Sequence, residues 1–173
     1  MLIRIDRLSG PDGRKLMDLY REGNLENAEY FYPEITDREA GIRKVEEEFL
    51  RYIREDFLKK EGNAYYVLEA DSVWVSALRL YRVKEGLYYI EALETHPDLR
   101  KRGYASMLLK LVTESLREKE DNFRVRDCVR KRNLPSVKTH LKSGFRIVSE
   151  EGFDLLTGET DPDDFSFEYE YHK

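Results

Sequence analysis

Residues 96–106 read HPDLRKRGYAS, and the fold turns on how they are read. Arg100, Lys101 and Arg102 stand together, Gly103 and Ala105 follow, and Ala105, Leu108, Leu109, Val112 and Leu116 then recur at helical spacing. A helix therefore starts close to Gly103, with its apolar side toward a sheet. Upstream, LYYIEALET (87–95) is rich in β-branched and aromatic residues and runs straight into the quoted stretch. A strand that enters a glycine-containing turn and then a helix leaves several backbone N–H groups unpaired and convergent at the positive end of the helix dipole. Gly103 lets a ligand approach the backbone, Ala105 keeps the entrance shallow, and three cations flank it, so the stretch reads as a site for a phosphate-bearing anion. Short glycine patterns also occur in solvated turns, and these residues alone leave both readings open.

Working outward, AYYVLEA (64–70) and VWVSALRLY (73–81) precede the strand at 87–95, with Asp71-Ser72 and Lys84-Glu85-Gly86 as connections, which predicts an antiparallel meander. MLIRIDRL at the start alternates like a short strand. Pro11 to Gly23 carries a helical pattern in Leu16, Met17 and Tyr20. Thr36 with Glu39 forms a capping-box pattern that opens a long helix, its face lined by Ile42, Val45, Phe49, Ile53 and Phe57 and its end near Gly62. Downstream, NFRVRDCV (122–129) reads as a strand. Asn133 to Lys142 reads as a short helix with Leu134, Val137 and Leu141 on one side, stopped by Ser143-Gly144. FRIV (145–148), an acidic loop and the alternating FSFEYEY (165–171) complete the chain. The order β-α-α-β-β-β-α-β-α-β-β predicts an α/β (α+β) fold, a mixed and mostly antiparallel sheet flanked by helices, as one domain over 1–173.

Composition narrows the function. With 30 Lys+Arg against 35 Asp+Glu, the net charge of -5 argues against a nucleic-acid binder. The lone Cys128 cannot form an internal disulfide, and the sequence shows neither a signal peptide nor an apolar stretch long enough to cross a bilayer. A soluble protein of the cytoplasm with no membrane partner is expected.

The quoted stretch resembles the acyl-CoA-binding motif of the GNAT superfamily of N-acetyltransferases. The family pattern Arg/Gln-x-x-Gly-x-Gly/Ala is met by Arg100, Gly103 and Ala105, after a strand that ends in Pro97. A second signature follows in Asn133, Ser136 and Gly144-Phe145. The resemblance covers residues 65–149 by motif and the remainder by element order. It implies an N-acetyltransferase that uses acetyl-CoA and no metal, acts on a primary amine of a small molecule or peptide, and exists as a monomer or homodimer. It also implies that backbone N–H groups of Arg100, Lys101, Arg102, Gly103, Tyr104 and Ala105 hold the pyrophosphate, that Leu93, Glu94 and Thr95 pair with the pantetheine arm, and that Asn133 and Ser136 touch the far side of the donor. Glu91 matches the family's carboxylate base, with Glu94 as its competitor. Alternation places Glu91 and Leu93 on one face and Glu94 on the other. The position that is Tyr in the family, the acid for the leaving thiolate, is His140 here; an imidazolium is a competent donor, and a His on a short helix is also an ordinary packing residue.

In AEYFYPE, Tyr30, Tyr32 and Glu34 lie where GNAT relatives wall the acceptor site, and aromatic faces beside carboxylates suit an ammonium group; the same aromatics can instead pack the long helix on the sheet. Residues 150–172 hold nine Asp or Glu and no Lys or Arg, a solvated loop or an attractant for a cation. Two rival readings are a catalytically silent acyl-CoA sensor and a nucleic-acid-binding module built on the basic segment 124–132.

Overall fold

The computed structural model describes residues 1–173. In chain order its elements are β1 (Leu2–Ile5), α1 (Gly10–Leu19), α2 (Arg21–Phe31), α3 (Arg38–Glu55), β2 (Ala64–Ala70), β3 (Val73–Lys84), β4 (Leu87–Thr95), α4 (Tyr104–Arg117), β5 (Asn122–Arg130), α5 (Leu134–Lys142), β6 (Arg146–Ser149), β7 (Gly152–Phe153), β8 (Thr160–Asp161) and β9 (Asp164–His172). Asp71 and Ser72 both take positive φ, 50° and 63°, the two-residue turn whose twist matches the strands it joins. That turn sets β2 against β3, and β4 completes the meander. The sheet has seven strands in the order β1-β2-β3-β4-β5-β9-β6. Every neighbouring pair is antiparallel except β4 and β5, which are parallel. Parallel neighbours need a crossover, and α4 supplies it. β7 and β8 form a small separate hairpin.

The helices sandwich the sheet. On one face Leu108, Leu109, Val112 and Leu116 of α4 are buried against Leu78, Leu80, Ile90, Val125 and Phe167. Burying each such side chain contributes about 1.5–3 kcal/mol, which is what holds a helix of 14 residues that would be marginal alone. On the other face Leu16, Leu19, Ile53 and Phe57 pack with Tyr65, Val67, Ala77 and Tyr81. No helix is long and apolar enough to cross a membrane.

The mixed, mostly antiparallel sheet and its flanking helices are as expected, with four local differences. Three helices, not two, precede β2. The pattern from Pro11 to Gly23 breaks at Tyr20, which leaves helical geometry (φ -91°, ψ 8°) and is buried with its hydroxyl donating to the Ala92 carbonyl. α2 buries only Asn24 and Ala28, so no apolar stripe announces it. α3 is capped by Asp37, whose side chain accepts from the Glu39 and Ala40 N–H groups, and it stops at Glu55. On α5, Leu134 and Leu141 face solvent at 59% and 49% exposure, Val137 alone of the three packs against the core, and the fully inward residue is His140 at 1%.

Candidate active site

The site is built around an irregularity in β4. On β3 one residue separates Ala77 from Arg79, whereas two separate their partners Glu94 and Glu91 on β4. β4 therefore bulges by one residue, and Ala92 takes φ 53° to make room. The bulge reverses the alternation expected beyond Glu91. Glu91 and Glu94 lie on the same face, opposite Arg79 and Ala77, while Leu93 packs with the α4 side of the core.

β4 pairs with β5 only over Leu87–Tyr89, so beyond Tyr89 the two strands part and one edge of β4 stays open. The N-terminus of α4 stands beside that opening. Gly103 is its N-cap, at φ 82° with no side-chain cap and no acidic residue in the first turn. The first backbone bond is Met107 N–H to Gly103 C=O at 3.0 Å, which leaves the Tyr104, Ala105 and Ser106 N–H groups without a helical partner. A Cβ on Gly103 would meet no protein atom within 4 Å; the backbone there faces open space. Lys101 also lies in the left-handed region at φ 64°, a conformation that costs a non-glycine residue about 1–3 kcal/mol and is kept only where surroundings impose it.

A cleft of about 470 Å³ occupies this corner. Leu93, Glu94 and Thr95 of β4 line it, as do Arg100, Lys101, Gly103, Tyr104 and Ala105 of the turn and α4 and, across it, Asn133 and Ser136 of α5. Arg102 is exposed and does not line it. Ser106, Pro135 and Thr139 line the cleft in addition. Arg100 is largely committed to the protein: its guanidinium contacts Glu22 at 2.5 Å and Glu94 at 3.2 Å, tying α2 to β4. Arg21–Asp98 at 2.6 Å and His96–Asp18 at 3.2 Å add to the same tie. Asn133 caps α5, its Oδ1 accepting from the Ser136 N–H at 3.2 Å.

Glu91 does not line the cleft; earlier along β4, on the face it shares with Glu94, its Oε2 accepts from the Tyr81 hydroxyl at 2.7 Å and meets Arg79 at 3.1 Å. Burial pushes the Tyr81 phenol up, so it remains a donor. Arg79 lies over the Phe49 and Tyr52 rings, 5.5 Å from each centroid. Both contacts of Glu91 reach Oε2, and its side chain is 28% exposed, which leaves Oε1 for a proton. Glu94, by contrast, is held by Arg100 and the Thr95 N–H through Oε1.

His140 does not border the cleft. Its Nδ1 lies 2.8 Å from the Ser136 carbonyl oxygen and its Nε2 lies 2.7 Å from Asp127 Oδ2. Burial alone would lower the imidazole's pKa, but the bond and charge of Asp127 reverse this and hold it above the ordinary value. Burial raises the Asp127 carboxyl, against the opposing pull of His140.

Tyr30, Tyr32 and Glu34 are not brought to this cleft. Tyr30 and Phe31 are exposed and meet edge to face at 5.0 Å, Glu34 is exposed, and the Tyr32 hydroxyl donates to Glu48. Tyr32 instead lines a separate hollow of about 350 Å³ between α2 and α3, so these aromatics do not pack α3 on the sheet. The basic segment is largely neutralised in place. Arg124 and Arg126 pair with Glu168, and Arg130 with Asp161, Asp163 and Asp164, which also anchors the acidic loop. No group of three or more His, Cys, Asp or Glu side chains is placed to hold a metal ion.

Arg79 and Asp127 escaped the reading of the sequence. The signal for Asp127 is its phase: in NFRVRDCV it falls on the same side as Phe123, Val125 and Val129, where a carboxylate needs a partner.

A model of the acetyltransferase (GNAT) family matches residues 18–145. Among solved structures, the chain is similar to the PaiA N-acetyltransferase of Thermoplasma acidophilum in complex with coenzyme A (19% identity, 99% of each chain covered, TM-score 0.63). It is also similar to the ribosomal-protein-S18-alanine N-acetyltransferase of Escherichia coli (12% identity, 100% and 96% covered, TM-score 0.64) and to the N-acetyltransferase PseH of Campylobacter jejuni in complex with acetyl coenzyme A (14% identity, 98% and 96% covered, TM-score 0.59). Compared with curated protein sequences, it matches none. With its family match spanning most of the chain and its cleft formed where β4 and β5 part beside the bare N-terminus of α4, the protein belongs to the GNAT family of acetyltransferases.

Proposed function

We propose that the protein transfers an acetyl group from acetyl-CoA to a primary amine of a small molecule or peptide, by direct attack of the amine on the thioester. The observation that carries this reading is the pairing of the uncapped α4 N-terminus with the open edge of β4. The N–H groups of Tyr104, Ala105 and Ser106, with Lys101 beside them, suit a pyrophosphate; the open β4 edge at Leu93 and Thr95 suits an amide-bearing arm by strand-like pairing. The bound donor supplies an activated acyl group, and the protein's residues orient it and manage protons. Glu91 is the proposed base: it stands beyond the bulge on the face away from Leu93, and Oε1 takes the proton of the incoming amine directly or through water.

The test is release of free thiol from acetyl-CoA across amino acids, polyamines, aminoglycosides and peptide N-termini. Glu91→Gln should lower kcat by about 10²-fold or more while leaving acetyl-CoA affinity unchanged, and the acidic limb of the rate profile should vanish. Loss in Glu94→Gln with Glu91→Gln silent would move the role to Glu94. The burial of His140 favours a second reading, a sensor that binds acetyl-CoA without turnover; tight binding with no thiol release for any amine would select it.

A further inference from the structure

At α5 the cleft wall and a buried charge meet. Ser136 lines the cleft, and one helical turn on lies His140, 1% exposed. His140 Nδ1 sits 2.8 Å from the Ser136 carbonyl oxygen and 3.5 Å from Ser136 Oγ, and Nε2 sits 2.7 Å from Asp127 Oδ2. A carbonyl oxygen only accepts, so Nδ1 carries a proton. The contact at Nε2 then needs another proton between nitrogen and carboxylate, because two bare acceptors repel at that distance. The pair therefore holds a transferable proton one side chain away from the cleft.

Other groups around the ring leave this proton in place. β5 supplies Asp127, β9 the Phe167 ring at 5.1 Å, and the segment after α5 the Phe145 ring at 5.4 Å. α4 meets α5 through the Ser106 and Ser143 hydroxyls, 2.9 Å apart. Glu91 of β4 acts on Asp127 through space, in the sense that keeps the proton bound.

Resting on the acetyl-transfer reading, we propose that Ser136, His140 and Asp127 form a proton relay into the cleft: Ser136 is the acid that meets the departing sulfur, His140 resupplies it, and Asp127 is the positioning residue. As the C–S bond breaks, its electron pair stays on sulfur. The Ser136 Oγ–H bond breaks and an S–H bond forms, Oγ takes the Nδ1 proton, and neutral imidazole keeps its Nε2 proton on Asp127. The amine's proton passes to Glu91, and solvent returns one proton from Glu91 to His140 between turnovers, so the cycle balances. The 3.5 Å between Oγ and Nδ1 is the step that must shorten, by rotation of Ser136 about χ1; catalytic bonds are often long before substrates bind.

Two measurements on the full chain test the relay. The first follows the His140 imidazole by nuclear magnetic resonance in the ligand-free protein. It should stay doubly protonated through pH 6.5, the ordinary midpoint of about 6.5 being shifted upward, and Asp127→Asn should move the midpoint down by about one unit or more. The second follows thiol release against pH. Ser136→Ala, at a partly exposed position, should fold normally, keep acetyl-CoA affinity within about threefold, lose about 10²-fold in kcat and lose the alkaline limb; Ser136→Thr, which keeps a hydroxyl, should restore part of the rate. Wild-type kcat with an unchanged alkaline limb in Ser136→Ala, a loss confined to acetyl-CoA affinity, or a His140 that is singly protonated at pH 6 would each overturn the relay while leaving acetyl transfer intact. Failure of the wild type to release thiol with any amine would instead overturn the acetyl-transfer reading, and the relay with it.

Discussion

Replacing Gly103 with Val is expected to weaken acetyl-CoA binding by about 10²-fold to 10⁴-fold while the protein stays folded. Two costs combine. At φ 82° a β-branched residue resists the backbone conformation that turns the α4 N–H groups outward, at about 1–2 kcal/mol. A side chain at this point also enters the open space before those N–H groups, and each charge-assisted bond to a phosphate that is lost removes about 1.5–3 kcal/mol. Stability should fall by only the first amount, since a Cβ at Gly103 meets no protein atom within 4 Å, and a domain of ordinary stability of about 5–15 kcal/mol tolerates that. Gly103→Ala, with the same φ cost and less bulk, should fall between wild type and Gly103→Val. Calorimetric titration with acetyl-CoA, beside a thermal melt of each variant, measures both quantities. Undiminished affinity in a folded Gly103→Val protein would remove the α4 N-terminus as the phosphate site.

The cleft at the bare N-terminus of α4 was legible in the sequence because its causes are local. A strand, a glycine and a helical apolar repeat sit within the 30 consecutive residues 87–116, and each element's period is visible without knowing what it packs against. The cleft accordingly contains nearly all of the residues read from HPDLRKRGYAS and from Asn133 onward. Features that depend on distant partners were not legible. The bulge at Ala92 leaves no mark in LYYIEALET, since strict alternation assumes a regular pleat; a bulge stabilised in part by the Tyr20 hydroxyl, 72 positions away, cannot be read from the strand alone. The division of the first helix at Tyr20 has the same origin. α5 misled for a different reason. Of its three apolar side chains only Val137 packs on the core, and beside it the inward contact is a His–Asp bond reaching 13 positions back to β5.

That bond should also dominate the local energetics. Asp127→Ala leaves the His140 imidazole 1% exposed with Nε2 facing nothing, and breaking one half of a buried pair typically costs about 3–5 kcal/mol. The double variant Asp127→Leu with His140→Phe removes both polar groups and fills the space among Phe145, Phe167 and Val129 with apolar atoms, so it should be more stable than Asp127→Ala despite carrying two changes. The pH dependence carries its own sign. His140 has its folded pKa raised, so the pair's contribution is fully present below the unfolded value of about 6.5 and declines as pH rises through the folded value. Asp127, raised by burial, acts in the same direction: its contribution is present below the unfolded carboxyl value and declines as pH rises through the folded one. Denaturant midpoints of the wild type should therefore fall relative to those of the double variant as pH rises above about 6.5. A double variant no more stable than Asp127→Ala, or a wild-type midpoint that climbs relative to it with pH, would show that the pair holds no proton and that α5 is fixed by its neighbours alone.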